Sequence, residues 1–155
     1  CLSGEVEVRE VDVRMDQGSS LNSDVDVGQV EGAIIMALGF YLTEHCAVDA
    51  SGKQSGDGTW EYKPPMVADV PLELRVSMLA RTPNPSAVAV LGSKASGEPP
   101  MQLAASVFFA LRAAVAAFRR DALGDAAWFD LPVPASPKAI RAALGRLDDA
   151  GLVFA

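Results

Sequence analysis

The feature that most restricts the fold of this chain is the apolar run from Met101 to Phe118. Only Gln102, Ser106 and Arg112 interrupt it with polar groups, and Arg119-Arg120 follow directly. Its richness in Ala and Leu predicts a helix from about Pro100 to Leu123. Proline is well tolerated at a first helical position, and the arginine pair suits the negative end of the helix dipole. A lone arginine in mid-span is costly in lipid. The expectation is therefore a central, buried helix, apolar nearly all round, and no membrane span. Any fold must be built round it.

The rest of the 155-residue sequence fits that picture. Half of its residues are hydrophobic, enough for a core and rich for a small free-standing domain. Some apolar surface is thus expected to meet neighbours belonging to a larger body. The first residue is Cys1, with no targeting segment before the first strand-like pattern, and the simplest reading is a fragment. The net charge of −7 and the pI near 4.6 argue against nucleic acid as a partner. Two cysteines, Cys1 and Cys46, allow one disulfide but no framework, which fits a reducing compartment. One histidine and no Cys/His cluster argue against a zinc site.

Residues 5 to 15 alternate valine with charge, with a phase slip at Arg9-Glu10. They predict a strand with a bulge, entered from a hairpin turn at Leu2-Ser3-Gly4, its partner lying before residue 1. Residues 16 to 24 read as a loop and about Asp26 to Glu44 as a helix. Gly28 and Gly32 share a face of that helix, where a backbone or a ligand can approach closely. Asp49 to Gly58 predicts a solvated loop, and Tyr62-Lys63-Pro64-Pro65 irregular chain. Leu72 to Leu79 has strand periodicity and is broken by Thr82-Pro83-Asn84-Pro85. A proline-rich loop, Asp130 to Pro137, precedes a last short helix that Ser136-Pro137-Lys138 open and that ends near Leu144. The fold class is α+β.

Two residues have settings that suit chemistry. Glu98 immediately precedes the long helix, whose N–H groups and dipole favour negative charge. Gly97 allows close approach, and Pro99-Pro100 stiffen the chain beyond Glu98. A general base needs to be ionised, oriented and held away from bulk water. The bland alternative is a surface acid near a helix start. Gln29, after Gly28, offers both donors and acceptors to a polar ring; the alternative is an ordinary helix residue. His45 reads as solvated, and Lys94 and Glu31 have no partner recognisable from sequence.

Several segments resemble the xanthine dehydrogenase / aldehyde oxidase family of molybdenum hydroxylases. They are Asp16-Gln17-Gly18-Ser19-Ser20-Leu21-Asn22, Gly28-Gln29-Val30-Glu31-Gly32-Ala33, Arg75-Val76-Ser77-Met78-Leu79 with Pro83-Asn84, and Ser93 to Pro100 continued by Leu103 to Ala110. They come in the family's order over about residues 2 to 143. The resemblance implies a C-terminal, incomplete part of the molybdopterin-binding region, spanning residues 1–155 with a tail from 144 that matches nothing. It implies that Glu98 takes a proton from water activated at molybdenum, so that oxygen can be added to an electron-poor carbon. It implies that Gln29 hydrogen-bonds the pterin, with Gly28, Ser96 and Gly97 near the cofactor and no metal ligand from the chain itself. Electrons would leave through 2Fe-2S clusters and FAD, to NAD or oxygen.

The Glu98-Pro99-Pro100 form leans towards xanthine dehydrogenase, acting on a purine. An aldehyde oxidase or another N-heterocycle hydroxylase is the alternative, and a non-catalytic remnant a further one. The resemblance also implies the parent's other domains or subunits as partners, a homodimer, and a cytoplasmic location; the piece alone should have no turnover. Ser23, Pro64, Ser96 and Gln102 depart from the family's usual residues, which weakens any choice of substrate.

Overall fold

The computed structural model describes residues 3–56, 58–79, 84–86 and 88–145. Cys1 and Leu2, Thr82-Pro83 and the tail from 146 onwards, all named above, lie outside the described residues. The chain divides into two compact units. One comprises Val8–Leu38 and Pro65–Ala105; the other comprises Cys1–Glu7, Gly39–Pro64 and Ser106–Ala155.

In the first unit, strand β1 (Glu10–Met15) pairs in parallel with β4 (Glu73–Met78), Glu10 facing Glu73 and Met15 facing Met78. The expected strand from residue 5 is shorter, starting after the phase slip. Its observed partner is a strand some sixty residues on, not a hairpin arm. Local periodicity shows that a segment is extended but carries no information on which distant segment it meets. Val11 and Val13 are buried, while Glu10, Asp12 and Arg14, which alternate with them, are exposed. The like charges of Glu10 and Glu73 are reconciled by Arg75, which is ion-paired with Glu10, Asp12 and Glu73.

Helix α1 (Ser23–Leu42) begins three residues earlier than the glycine-rich pattern suggested. Asn22 caps it: its side-chain Oδ1 accepts from the N–H groups of Asp24 and Val25, both at 3.1 Å. Asp24 and Asp26 in the first turn suit the positive end of the dipole. Within the first unit, Val30, Ala33, Ile34, Ala37 and Leu38 form its buried stripe, and Val30 and Ile34 are fully enclosed. Gly28, Gln29, Gly32 and Met36 lie on the exposed side.

The predicted long apolar helix is broken. Helix α2 (Pro99–Leu103) has 5 residues, and α3 (Ala105–Leu123) starts after a turn at Ala104. Among its described residues only Val115 of α3 is buried, so the expected central position is corrected. Hydrophobicity sets what a helix can bury, not what this chain supplies to cover it. By length and composition alone, Ser23–Leu42 and Pro99–Leu123 could each cross a membrane. Arg112, halfway along α3, instead donates to the Phe129 carbonyl at 2.9 Å and stacks 4.0 Å from the Trp128 ring centre.

The second unit contains a short antiparallel hairpin, β2 (Ala47–Val48) and β3 (Gln54–Ser55), whose turn and second strand lie within the predicted loop. Asp49 organises its turn by accepting from Ser51 N–H at 2.8 Å and Lys53 N–H at 3.1 Å. These bonds, led by that from the Ser51 hydroxyl, hold its carboxyl below the usual range. Helix α4 (Pro137–Leu144) starts as predicted, with Ser136 Oγ accepting from Ala139 N–H, and it buries Ile140, Ala143 and Leu144. Cys46 is a free, exposed thiol and His45 is exposed.

Candidate functional site

Both settings singled out in the sequence belong to the first unit. There the outer face of α1 and the segment entering α2 line one open cleft of about 320 Å³. Gly28, Gln29, Gly32, Ala33 and Met36 come from α1; Gly97, Glu98 and Met101 come from the other side. Residues 28, 32 and 36 are successive positions on one helix face, which is why a local feature becomes a continuous wall. Residues about seventy apart in sequence thus reach the same space.

The wall is built around missing side chains. A Cβ added at Gly28 or Gly32 would meet nothing within 4 Å, so both glycines open directly onto free space. A Cβ at Gly97 would sit 3.0 Å from Oε1 of Gln29. Gly97 therefore lets the glutamine amide lie close against the chain entering α2. Gln29 is exposed, with its amide available to a ligand.

Glu98 is the residue before α2, with helical backbone angles (φ −79, ψ −38) and no side-chain capping bond. Its carbonyl accepts from Met101 N–H at 3.0 Å. Its side chain is exposed, so the shelter from water that a base needs is not provided by the described residues. The long helix dipole expected behind it is also reduced to the short α2. Ser96 is half-buried and is not among the residues that line the cleft. Four of the five residues singled out are brought together; Ser96 stands beside them.

Sequence reasoning missed Met36 and Met101, which add apolar lining to the cleft. Met36 was within reach of it, because it continues the four-residue spacing of Gly28 and Gly32. The partner of Lys94 was also missed: Nζ lies 2.6 Å from Oδ2 of Asp16. Among the described residues no group of three or more His, Cys, Asp or Glu could hold a metal ion. A planar ligand with polar edges suits a glycine wall flanked by one amide and one carboxylate.

The Molybdopterin cofactor-binding domain family matches residues 1–71. Indole-3-acetaldehyde oxidase of Arabidopsis thaliana is 42% identical over 142 residues, which cover 87% of this chain and 10% of that protein. Xanthine dehydrogenase/oxidase of Rattus norvegicus is 43% identical over 143 residues, covering 91% and 10%. The chain thus spans about a tenth of the length of these curated relatives. The crystal structure of quinoline 2-oxidoreductase from Pseudomonas putida 86 is similar with a TM-score of 0.73 at 27% identity, covering 89% of this chain and 16% of that one. The Cu,Mo-CO dehydrogenase gives a TM-score of 0.75 over 98% of this chain and 17% of its own, at 20% identity, a likeness of fold alone.

Proposed function

This chain belongs to the xanthine dehydrogenase / aldehyde oxidase family of molybdopterin-binding proteins, and from that premise we propose that it forms one wall of the cofactor and substrate site of a molybdenum hydroxylase. The single observation that carries the reading is the convergence of Gly28, Gln29, Gly97 and Glu98 on one cleft. A molybdopterin group fits that cleft. It carries its own metal ligands, and its fused ring needs the flat, glycine-lined approach that α1 offers.

When bound, the cofactor supplies an activated water oxygen and a place for two electrons. The chain's own residues do the rest. Gln29 presents amide donors and acceptors to the pterin edge. Gly28 and Gly32 let the group come close, and Gly97 keeps the amide in place. Glu98 accepts the proton at its carboxylate as oxygen is transferred to an electron-poor carbon of the substrate. Its exposure here is consistent with a base that is sheltered only once substrate and the remaining domains close over it.

The substrate we favour is a purine, on the Glu98-Pro99-Pro100 form; an aldehyde is the second reading, since relatives of both names match equally well. In the parent, 2Fe-2S clusters and FAD would carry electrons to NAD or oxygen. The parent would be a cytoplasmic homodimer, with its other domains as partners of this one.

The test uses the full-length parent, wild type and Glu98→Gln, with molybdenum content and hydroxylation of xanthine and of indole-3-acetaldehyde as readouts. Molybdenum should be retained in both, and turnover of one substrate should fall by about 10²–10⁴-fold in the variant. The faster wild-type substrate assigns the class. Wild type without molybdenum rejects the reading in favour of a non-catalytic remnant, and a fully active variant rejects Glu98 as the base.

A further inference from the structure

The segment that carries Glu98 is tied down just before it reaches the cleft. Ser19 N–H donates to the Gly92 carbonyl and Lys94 N–H donates to the Gln17 carbonyl, both at 2.9 Å. Gly18 and Ser93 form an antiparallel bridge between those bonds. The Asn84 side-chain amide donates to the Ser93 carbonyl at 3.3 Å. The approach is close enough that a Cβ at Gly18 would lie 2.4 Å from the Gly92 carbonyl oxygen, which ordinary contacts forbid.

Side chains close the same junction. Lys94 Nζ pairs with Asp16 Oδ2 at 2.6 Å, and Asp16 Oδ1 accepts from Gly18 N–H at 2.8 Å. Both charged groups are partly shielded, with side-chain exposures of 37% for Lys94 and 29% for Asp16. Lys94 is therefore fixed at its backbone and at its ammonium, four residues ahead of Glu98. The Glu98 carbonyl accepts from Met101 N–H, but its exposed carboxylate makes no capping bond that would hold the side chain. Its position depends on where the preceding chain is held.

We propose that Lys94, through its ion pair with Asp16, is a positioning residue for Glu98. The proposal rests on the reading of Glu98 as the base. Lys94 is not among the residues that line the cleft; it fixes the origin of the segment from which Glu98 reaches it. A displacement of about 1 Å in a reacting group can cost about 10²-fold in rate. Release of the clamp should thus lower kcat while leaving substrate binding and cofactor loading largely intact.

The experiment compares Lys94→Met, Lys94→Arg, Glu98→Gln and the double variant Lys94→Met/Glu98→Gln in the full-length parent. Measured are molybdenum content, kcat, KM and amide exchange of residues 92–98. We expect Lys94→Met to retain molybdenum and KM, to lose about 10- to 100-fold in kcat, and to exchange faster over residues 92–98. Lys94→Arg should recover most of the rate. The double variant should be no slower than Glu98→Gln, because a clamp has nothing left to position.

Wild-type kcat in Lys94→Met, a loss matched by lost molybdenum, or an equal further loss in the double variant each overturns the clamp. If Glu98→Gln is fully active, the base assignment fails instead and the positioning role goes with it, even if the exchange of residues 92–98 rises as expected.

Discussion

Replacing Gly32 by alanine should strengthen the protein while impairing what it binds. Gly32 lies inside α1, where glycine costs roughly 0.8–1.0 kcal/mol relative to alanine. A Cβ there would meet nothing within 4 Å, so no clash offsets that gain. Gly28 has the same open surroundings on the same face. Gly28→Ala and Gly32→Ala should each raise stability by about 1 kcal/mol, and the pair by about 2 kcal/mol if additive. The new methyls project into the cleft, so cofactor loading should fall in the same variants. The assay is urea unfolding of the cofactor-free parent, with a raised midpoint at unchanged slope, alongside molybdenum content after expression with ample molybdate. A destabilised Gly32→Ala would show that the space in front of α1 is already filled in the intact protein. A stabilised variant with normal molybdenum content would show that this face serves no ligand. Either result refutes the reasoning from open glycines to a site.

Other expectations can be checked on the same material. Ile34→Ala removes a fully buried side chain and should cost about 2–5 kcal/mol, whereas Met36→Ala, at 62% exposure, should stay within about 0.5 kcal/mol; equal unfolding midpoints would contradict the burial pattern of α1. Asp16 should behave as an acid-sensitive anchor. Its carboxyl is held below the usual carboxylate range, first by the hydrogen bond from Lys94 and then by that from Gly18 N–H, against a smaller opposing effect of burial. A depressed carboxyl contributes fully above its ordinary value, and the contribution is lost as pH falls through the lowered one. The stability difference between wild type and Lys94→Met should thus be constant near neutrality and close below about pH 4; a difference that widens on acidification would contradict the pairing.

Legibility in the sequence followed the range of the interaction. Helix α4, with Ser136 as its cap, and strand β4 were readable because their signals are local. The glycine face of α1 was readable too, since spacing alone puts Gly28 and Gly32 together. The start of α1 is not legible because Asn22 reads as loop, although its side chain caps two N–H groups. The turn at Ala104 was hidden inside an unbroken apolar run. Parallel pairing of β1 with β4, and of Asp16 with Lys94, depends on residues that only the completed fold brings together. The exposure of Glu98 could not be inferred from Gly97, which allows close approach, or from Pro99-Pro100, which stiffen the chain without covering it. The family resemblance reached the correct family, whose Molybdopterin cofactor-binding domain matches residues 1–71, by patterns that local physics alone leaves ambiguous.

The pairing of β1 with β4 also sets a timetable for synthesis. Met15 leaves the ribosome about sixty residues before Met78, its partner in register. At roughly 5–20 residues per second, β1 waits about 3–12 s with its valines unpaired. Short valine-rich strands left waiting are the segments most prone to join a neighbouring nascent chain. Here Glu10, Asp12 and Arg14 alternate with Val11 and Val13, so a parallel, in-register encounter between two such strands sets like charge against like charge along one whole face. The same alternation that gives β1 one buried side in the finished fold thus acts earlier as a gatekeeper, keeping the strand single until the right partner has been made.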